Sequence, residues 1–430
     1  MSSEERDPGS PGRKRRRSES EESWGRKKSK KSEETANKSE ETANKSEETA
    51  NKSEETANKS EETANKSEET ANKSEETANK RKRSSNDSGT DIEEGISPKR
   101  PCRAPPRPLS LTISSYTLHC VLGRGSYGKV ALASTATTNQ LVAIKTILKR
   151  PQKENMEYIL REARVLRVAA GHPYLCRAYA AFQTQTRAFF TMEYASGGSL
   201  ELEIRKRKHL KMRKVIFYSA EIICGLQYLH SHGIIHRDIK PGNIMLSSEG
   251  HIKILDFGLA AEGVYGDSTT NGRFGTFAYM APEVHREKEY SAAVDWWSYG
   301  ITLCQMATGQ YPFHLGNNLQ DLRRSILREQ PTYPAWIGRK LHRLLGKLLK
   351  KKVCNRLGIN GNIREDPFYE SIDWEELENQ RVPAPFQPEA QSVEDFDECV
   401  MTPMQFVEDP APSGNYIIKD FSYQSVGWEA

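Results

Sequence analysis

The sequence predicts a bilobal α+β fold, with an N-terminal antiparallel sheet lobe and a helical C-terminal lobe behind a disordered tail. Residues 1 to about 110 contain almost no large apolar side chains, whereas apolar runs and turn signals alternate from Tyr116 onward. Three short runs rich in β-branched residues and one helical pattern come first, and longer helical patterns follow. The remaining length, about 315 residues, is enough for two lobes with a full core.

The N-terminal tail, residues 1–114, is predicted to be disordered. The heptapeptide KSEETAN occurs seven times in succession over residues 31–79. Alanine is the only apolar residue of each repeat, so no coiled-coil seam can form and too little surface is buried to offset the ordering entropy. Basic clusters at residues 13–17, 26–31 and 80–83 indicate either a nuclear address or an ordinary solvated tail. We therefore expect a cytoplasmic protein, with a nuclear location as the alternative.

Cysteine usage and hydropathy exclude several classes of protein. The chain has 430 residues, a net charge of +5 and seven cysteines without a C-x-x-C pair, which argues against a zinc module and against a secreted disulfide framework. The first residues lack an apolar signal core, and no apolar run reaches the ~18 residues that span a bilayer. We expect a soluble intracellular protein with reduced thiols and no membrane segment.

The stretch LGRGSYGKV, residues 122–130, fits two glycine-rich patterns that hold phosphates. A P-loop requires Ser or Thr after its lysine and then a helix, but Val130 follows Lys129 and the run KVALAST predicts a strand. The glycines therefore lie in a hairpin between two strands. The candidate nucleotide-binding residues of this hairpin are Leu122, Gly123, Arg124, Gly125, Ser126, Tyr127, Gly128, Lys129 and Val130.

A third strand, LVAIKTI, places Lys145 in a V-A-I-K setting. The next segment, KENMEYILREARVLRV, has apolar residues at helical spacing, and Glu162 lies beside that stripe where it can reach Lys145. A strand lysine fixed by a helix glutamate holds the α- and β-phosphates of ATP. Taken alone, the pair would be routine surface charge.

Three further motifs follow in order. HRDIKPGN begins at His236, DFG begins at Asp256 and APE begins at Ala281. Each short motif occurs by chance, but the ordered set with the glycine loop and V-A-I-K is the signature of a protein kinase. The sequence therefore predicts the protein-kinase fold, with residues 116–372 as the catalytic domain.

The chemistry of phosphoryl transfer assigns the remaining site residues. We predict that Asp238 orients or accepts the proton of the attacking hydroxyl and that Lys240 contacts the γ-phosphate, with Lys145 and Glu162 completing the catalytic set. Asn243 and Asp256 supply oxygen ligands for Mg²⁺. The segment TMEYASGG is the predicted hinge beside the adenine of ATP, and its candidate contacts, with one strand residue, are Ala143, Met192, Glu193 and Ala195.

From about Tyr116 the chain resembles an AGC-group serine/threonine kinase, closest to the novel, delta-like branch of protein kinase C. The resemblance rests on RVLRVAAGHPYLC, VDWWSYG and NRLGINGNIREDPFYESIDWEELENQRVPAPFQP, and it covers nearly three quarters of the sequence. HRDIK, in place of the tyrosine-kinase form, implies Ser or Thr acceptors in protein substrates. The resemblance also implies that residues 373–430 form the C-terminal extension of this group.

Within that extension the resemblance implies three functional elements. EDFDE, with Phe396 and Asp397, matches the element that reaches toward the nucleotide. Thr402 matches the turn-motif phosphosite, and IIKDFSYQS resembles the hydrophobic motif with phosphorylatable Ser422. An upstream kinase acting on Thr402 and Ser422 is therefore an expected partner. Ile418 replaces the first aromatic residue of the hydrophobic motif, which predicts weaker docking on the small lobe.

Two departures from the family concern the activation loop and the substrate site. The activation-loop phosphothreonine aligns with Gly272 or Arg273, so we expect a phosphate on Arg237 either to be absent or to come from residues 268–270. The carboxylates that read upstream arginines of the substrate are also replaced, and neutral side chains cannot make the same charge-assisted bonds. We therefore predict a weaker preference for basic substrates, from the residues at these positions, Ser199, Gly242 and Gln305.

A third departure is the absence of any Cys/His cluster like those of the zinc-bound lipid-sensing modules of protein kinase C, so we expect no diacylglycerol control. Two rival functions remain. A pseudokinase scaffold would keep the fold and signal by contact, which the complete nucleotide-handling set argues against. A nucleic-acid-binding protein would use the basic clusters, but the interleaved glutamates and the near absence of aromatic residues there weaken that reading. We expect a monomer without specific nucleic-acid binding.

Overall fold

The computed structural model describes residues 111–125, 128–388, 416–425 and 428. The KSEETAN repeats, the basic clusters, the glycine-loop residues Ser126 and Tyr127, and the tail elements Phe396, Asp397 and Thr402 lie outside the described residues. The described chain begins before the predicted domain boundary, with a 3₁₀ turn at Ile113–Ser115. Leu111 and Ile113 pack against the hydrophobic cluster that contains Tyr116, because this contact removes apolar surface from water.

The described small lobe is built on one antiparallel sheet and one long helix, as the sequence predicts. The sheet has the order β1-β2-β3-β5-β4-β8, and every neighbouring pair is antiparallel. The helix is α1, Lys153–Ala169. The strands are β1 Tyr116–Arg124, β2 Gly128–Thr135, β3 Leu141–Leu148, β4 Ala178–Gln183, β5 Arg187–Glu193 and β8 Tyr423–Gln424.

Helix α1 packs against the sheet with a face that contains one charged residue. Ile159, Ala163 and Leu166 on this face are buried, and Glu162 is buried among them with only 1% of its surface exposed. A buried carboxylate is costly unless it is paired, so the helix must present Glu162 to a cation. Strand β3 supplies that cation from Lys145, a half-buried lysine in an otherwise mostly buried strand.

The large lobe is mostly helical and includes one short hairpin, β6 Ile244–Leu246 paired with β7 Ile252–Ile254, which the sequence motifs did not predict. Its centre is the long, largely buried helix Met212–Ser231. None of the described helices is long and apolar enough to cross a membrane. The helices are α2 Leu200–Arg207, α3 Met212–Ser231, α4 Pro282–His285, α5 Ala293–Thr308, α6 Leu319–Arg328, α7 Arg339–Leu348 and α8 Trp374–Glu378.

The C-terminal residues return to the small lobe and complete its sheet. Strand β8 pairs with β4, and Phe421 is 1% exposed with its ring edge-on to Phe190 at 5.4 Å between centroids. Gln183 exchanges two hydrogen bonds with the backbone of Ile418, at 2.7 and 2.9 Å. The neighbouring Ser422 is exposed. The segment that resembles the hydrophobic motif is therefore part of the small-lobe core.

Five cysteines in the described part of the chain are free thiols, in agreement with the expected absence of disulfides there. Four of them are buried and the fifth is exposed. Burial raises the pKa of the Cys176 thiol, which lines the inner wall of the cleft described next, so that thiol stays protonated at neutral pH. They are Cys120, Cys176, Cys224, Cys304 and Cys354.

Candidate active site

One cleft of about 700 Å³ is lined by the sheet of the small lobe on one side and by the large lobe on the other. The motifs that supply its walls are far apart in the sequence, and the fold brings them to one place. The predicted site residues that line it are Leu122, Gly123, Gly125, Gly128, Val130, Ala143, Lys145, Glu162, Met192, Glu193, Ala195, Asp238, Lys240, Asn243 and Asp256.

At the inner wall of the cleft, Lys145 joins the two lobes through two carboxylates. Its Nζ lies 2.5 Å from Glu162 Oε1 and 2.9 Å from Asp256 Oδ1. Burial alone would lower the pKa of Lys145, but the charges of Asp256 and Glu162 outweigh it and raise that pKa well above its ordinary value. The Lys145 charge in turn lowers the pKa of Asp256. Burial raises the pKa of the Glu162 carboxyl, although the Lys145 charge opposes that rise. Lys145 and Asp256 are thus charged at neutral pH.

The catalytic loop holds Asp238 in one orientation through three donors. Lys240 Nζ and Asn243 Nδ2 donate to Oδ2 at 2.8 and 2.9 Å, and the backbone N–H of Thr276 donates to Oδ1 at 2.8 Å. Lys240 also donates to the Thr276 hydroxyl at 2.6 Å. The carboxylate is therefore aimed into the cleft by groups from two segments, a preorganised arrangement for a group that must meet a hydroxyl.

A buried carboxylate outside the cleft fixes the backbone of this loop. Asp295 accepts the backbone N–H groups of His236 and Arg237, each at 2.8 Å, and lies 2.8 Å from His230 Nε2. Burial would raise the pKa of Asp295, but the His230 hydrogen bond and nearby histidine charges lower it overall. Asp295 is 0% exposed and positions the two residues that precede Asp238, without touching the cleft.

Two side chains offer the oxygen ligands that a divalent cation prefers. The Asn243 amide nitrogen donates to the backbone and side-chain oxygens of Asp238, at 2.8 and 2.9 Å, which leaves its carbonyl oxygen for other contacts. The Asp256 carboxylate is ionised, is 46% exposed toward the cleft and uses Oδ1 for Lys145. A carboxylate and an amide oxygen on one cleft fit Mg²⁺.

At the hinge the wall of the cleft is apolar. Ala143 and Met192 are 6% exposed and face each other in the β3–β5 pairing. The Glu193 side chain turns away from this wall, because it accepts from the Arg177 N–H at 2.8 Å and pairs with Lys253 at 2.9 Å. The predicted contribution of Glu193 to binding a flat heterocycle, through its backbone, stays a prediction.

The glycine hairpin approaches the third strand closely. A Cβ on Gly128 would lie 1.9 Å from the carbonyl oxygen of Thr146, so only glycine fits there. Arg124 and Lys129 pair across the hairpin with exposed side chains and do not line the cleft. Their predicted part in nucleotide binding, through backbone groups, stays a prediction.

Among the described residues, the Arg237 side chain contacts neutral groups. The Arg237 guanidinium donates to the carbonyl oxygens of Leu259 and Ala260 at 2.6 and 3.0 Å, and to the Tyr290 hydroxyl at 3.1 Å. The ring of Phe274 lies 4.2 Å from the guanidinium carbon. Burial lowers the pKa of Arg237, but not enough to discharge an arginine at neutral pH. The buried cation is thus stabilised by neutral oxygens and one aromatic face.

The residue at the predicted phosphothreonine position belongs to this arrangement. Gly272 has φ +91°, and a Cβ there would lie 2.3 Å from the Phe274 ring. The Tyr290 hydroxyl also bonds the carbonyl oxygens of Asn271 and Gly272, at 3.1 and 3.0 Å. Glycine at 272 is therefore what allows Phe274 to lie over Arg237.

Sequence reasoning missed four residues that organise the site. The sequence offers a positional signal for three of them, since Thr276 precedes APE by a few residues, Asp295 lies in VDWWSYG and Arg356 lies in NRLG. Glu283 of APE forms a buried two-pronged ion pair with an arginine that is 0% exposed, at 2.6 and 2.9 Å. No sequence signal indicates the tyrosine that bonds Arg237. The missed residues are Thr276, Tyr290, Asp295 and Arg356.

A family model described as "Protein kinase domain" matches residues 116–368. The chain is 41% identical to protein kinase C delta type of Homo sapiens over 286 residues, which are 66% of this chain and 42% of that protein. It is 38% identical over 324 residues to protein kinase C of Drosophila melanogaster, covering 73% of this chain and 43% of that protein. It is 39% identical over 320 residues to protein kinase C-like 1B of Caenorhabditis elegans, covering 70% and 44%. The chain spans about two fifths of the length of these curated relatives.

Proposed function

The chain belongs to the protein kinase family, and from that premise we propose that it transfers the γ-phosphate of MgATP to Ser or Thr hydroxyls of protein substrates. The observation that carries the proposal is the joint geometry of Lys145, Glu162 and Asp256 opposite an Asp238 fixed by three donors. The relatives are described as protein kinases C, which supports a Ser/Thr acceptor. HRDIK supports the same acceptor class.

In this proposal each residue acts through charge and position. Asp238 accepts the hydrogen bond of the incoming hydroxyl and orients its oxygen for attack. Lys240, held between Asp238 and Thr276, places its ammonium beside the γ-phosphate, where it offsets developing charge. Lys145 contacts the α- and β-phosphates from its position between two carboxylates. Asn243 and Asp256 would hold Mg²⁺, which neutralises charge on the phosphates when bound.

We also propose that the activation segment is ordered without phosphate. The first support is the set of Arg237 contacts with Leu259, Ala260, Tyr290 and Phe274. The backbones of Thr270 and Tyr290 also exchange two hydrogen bonds, at 2.9 and 2.8 Å. Arg164 forms an ion pair with Glu262 at 2.7 Å, and the Thr269 hydroxyl donates to Glu289 at 2.8 Å. A phosphate on Thr269 would face the Glu289 carboxylate, which disfavours a relocated phosphosite there.

The finer partner assignments remain proposals. Ser422 is exposed beside the buried Phe421, so an upstream kinase can reach its hydroxyl without unpacking the segment. Thr402 would be a second site for such a kinase. We propose a monomeric cytoplasmic enzyme, with nuclear import through the basic clusters as the alternative location.

The test is phosphate transfer from MgATP to a degenerate serine peptide library, comparing wild type with Asp238→Asn. We expect the variant to lose at least about 100-fold in rate, because one preorganised polar group at the reacting centre is worth about that much. Asp267→Asn, an exposed aspartate of the activation segment, is the matched control and should transfer like wild type. Nucleotide binding without transfer in both wild type and control would favour the scaffold function instead.

A further inference from the structure

Helix α2 begins at the edge of the cleft, and its second residue carries a carboxylate to that edge. The helix is capped by the Ser199 hydroxyl, which accepts the N–H of Leu202 at 3.1 Å, and both residues line the cleft. Between them, Glu201 places Oε2 3.2 Å from the position that a Cβ on Gly242 would occupy. Lys240 Cε lies 3.9 Å from the same position. Glu201 thus reaches the catalytic loop next to the lysine that is bonded to Asp238.

The Glu201 carboxylate has little to satisfy it within the protein. Its side chain is 57% exposed, and its ion pair with Arg205 is a 3.7 Å contact to a side chain that is itself 72% exposed. Exposed pairs of this kind contribute little, because water screens them and both side chains lose freedom. By contrast, the other acidic residue of α2, Glu203, is bound by both Arg207 and Lys214, at 2.5 and 3.0 Å. Glu201 is therefore open to an external cation.

The neighbouring positions supply no competing carboxylate. The Ser199 hydroxyl accepts the hydrogen bond that caps the helix, and the Gln305 side chain accepts a hydrogen bond from the Tyr279 hydroxyl at 2.6 Å. Gly242 has no side chain, and the space above its Cα is where the Glu201 carboxylate lies. Of these four positions in the described chain, Glu201 alone brings a negative charge to this edge of the cleft, beside the position where an acceptor hydroxyl meets Asp238.

We propose that Glu201 is a specificity-determining residue that binds an arginine of the substrate close to the acceptor Ser or Thr. This inference rests on the proposed kinase function and narrows its substrate class. An arginine guanidinium suits the site, because its planar fork makes charge-assisted hydrogen bonds to a carboxylate and keeps its charge at any working pH. One carboxylate gives a preference that is modest and depends on a single arginine position.

The experiment uses the full chain and a serine peptide with alanine at the flanking positions. A matched series carries one arginine, moved through the five positions on each side of the serine. Both kcat/KM and the Kd of each peptide are measured for wild type and Glu201→Gln. We expect one arginine position to raise kcat/KM and lower Kd about fivefold in wild type, which is the upper range for a partly exposed ion pair. Glu201→Gln should abolish that gain and leave the alanine peptide unchanged.

Two further variants make the result specific. Adding Gly242→Glu to Glu201→Gln should restore the arginine preference, since Gly242 lies outside the left-handed region and the nearest obstacles to its Cβ are ends of flexible side chains. Glu375→Gln, at a glutamate 84% exposed on α8, should behave like wild type. Equal loss for all peptides in Glu201→Gln would show an effect through Lys240 and overturn the proposal, as would arginine discrimination that survives in the variant.

The two readouts separate this proposal from the kinase function. Absence of transfer by wild type to any peptide would contradict the proposed function, while the Kd series would still report on Glu201. Transfer without any arginine preference in wild type would contradict the Glu201 proposal and leave the kinase function standing.

Discussion

Two largely buried cations, Lys145 in the cleft and Arg237 in the catalytic loop, are stabilised by different means. Lys145 lies between two carboxylates, which raise its pKa. Arg237 donates to two backbone carbonyl oxygens and one tyrosine hydroxyl under a phenylalanine ring, and burial lowers its pKa. The nucleotide end is held by charge pairing, whereas the activation end is held by neutral hydrogen bonds and packing.

This difference indicates which of the two ends depends on bound ligands such as Mg²⁺ and phosphate. At the nucleotide end, Asp256 can exchange its partner for Mg²⁺ and Lys145 can exchange its partner for phosphate, so that end responds to ligand. At the activation end the guanidinium is already surrounded, and Phe274 occupies its open side. An added phosphate would have to displace that ring. We therefore expect ligand to change the first end and leave the second unchanged.

The largest effect should come from Lys145→Met, which removes the charge pairing at the nucleotide end. Transfer should fall about 100- to 1,000-fold, because a preorganised positive group is lost and Glu162 is left buried without its cation. The measurement is kcat/KM for a serine peptide, together with the thermal midpoint. Lys352→Met, at an exposed lysine of the large lobe outside the cleft, serves as control. A Lys145→Met enzyme with more than a tenth of wild-type activity would show that the charge pairing is dispensable.

An intermediate effect should follow from Tyr290→Phe, which removes neutral hydrogen bonds at the activation end. The change removes the hydroxyl that accepts from Arg237 and bonds the carbonyl oxygens of Asn271 and Gly272, which should cost about 2–3 kcal/mol of unfolding free energy. Urea unfolding and kcat/KM measure it, with Tyr265→Phe, 58% exposed, as control.

Phosphatase treatment sharpens the same test. Active wild type should carry no phosphate on residues 268–270 by mass spectrometry, and its activation segment should remain ordered after treatment. Loss of activity that tracks removal of phosphate from these residues would mean that the Tyr290 and Phe274 contacts are secondary.

The smallest effect concerns pH and His285, which lies under the Phe277 ring at the activation end and is 1% exposed. Burial, with the charges of Arg273 and Arg323, lowers its pKa from 6.5 to about 4. The unfolded chain therefore takes up a proton between these values while the folded chain does not, so the unfolding free energy falls as pH drops from about 6.5 to about 4. Between pH 7 and pH 5 the loss should be about 1–2 kcal/mol.

His285→Leu should remove that part of the acid sensitivity, measured as the thermal midpoint at pH 7 and pH 5. His172, whose pKa burial also lowers to about 4, retains its own contribution in the variant. The exposed His314→Gln is the control. An unchanged difference between the two pH values in His285→Leu would place the acid sensitivity elsewhere. Lys145 and Asp256 should not respond in this range, because their ion pair lowers the pKa of Asp256 and raises that of Lys145.

The nucleotide end was predictable from the sequence, because its chemistry lies in short motifs with fixed residue types. Lys145, Glu162, Asp238 and Asp256 were each named from local pattern, and the structure brings them to one cleft. The strands and the first helix followed from apolar periodicity. The motifs do not indicate which group stabilises Arg237, because the contact of Phe274 with Arg237 depends on the path of the loop between them.

Other misses have the same origin. Strand β8 is two residues long and exists only because the edge of β4 is available to it, so no pattern within residues 423–424 could indicate it. The proximity of Glu201 to Gly242 joins positions on either side of α3 and depends on the absence of a side chain at 242. Pairwise contacts across the fold are not encoded in local periodicity.

The pairing of β8 with β4 also has a consequence for the order in which the protein can be made. Its partners Ala180 and Gln424 are separated in sequence by the whole large lobe. A growing chain can collapse the first five strands and the helical lobe as they emerge, but the edge of β4 stays uncovered until residues 423–424 have been made. The small-lobe sheet is therefore completed only after the large lobe has been synthesised, and a chain truncated before Phe421 would leave an open sheet edge.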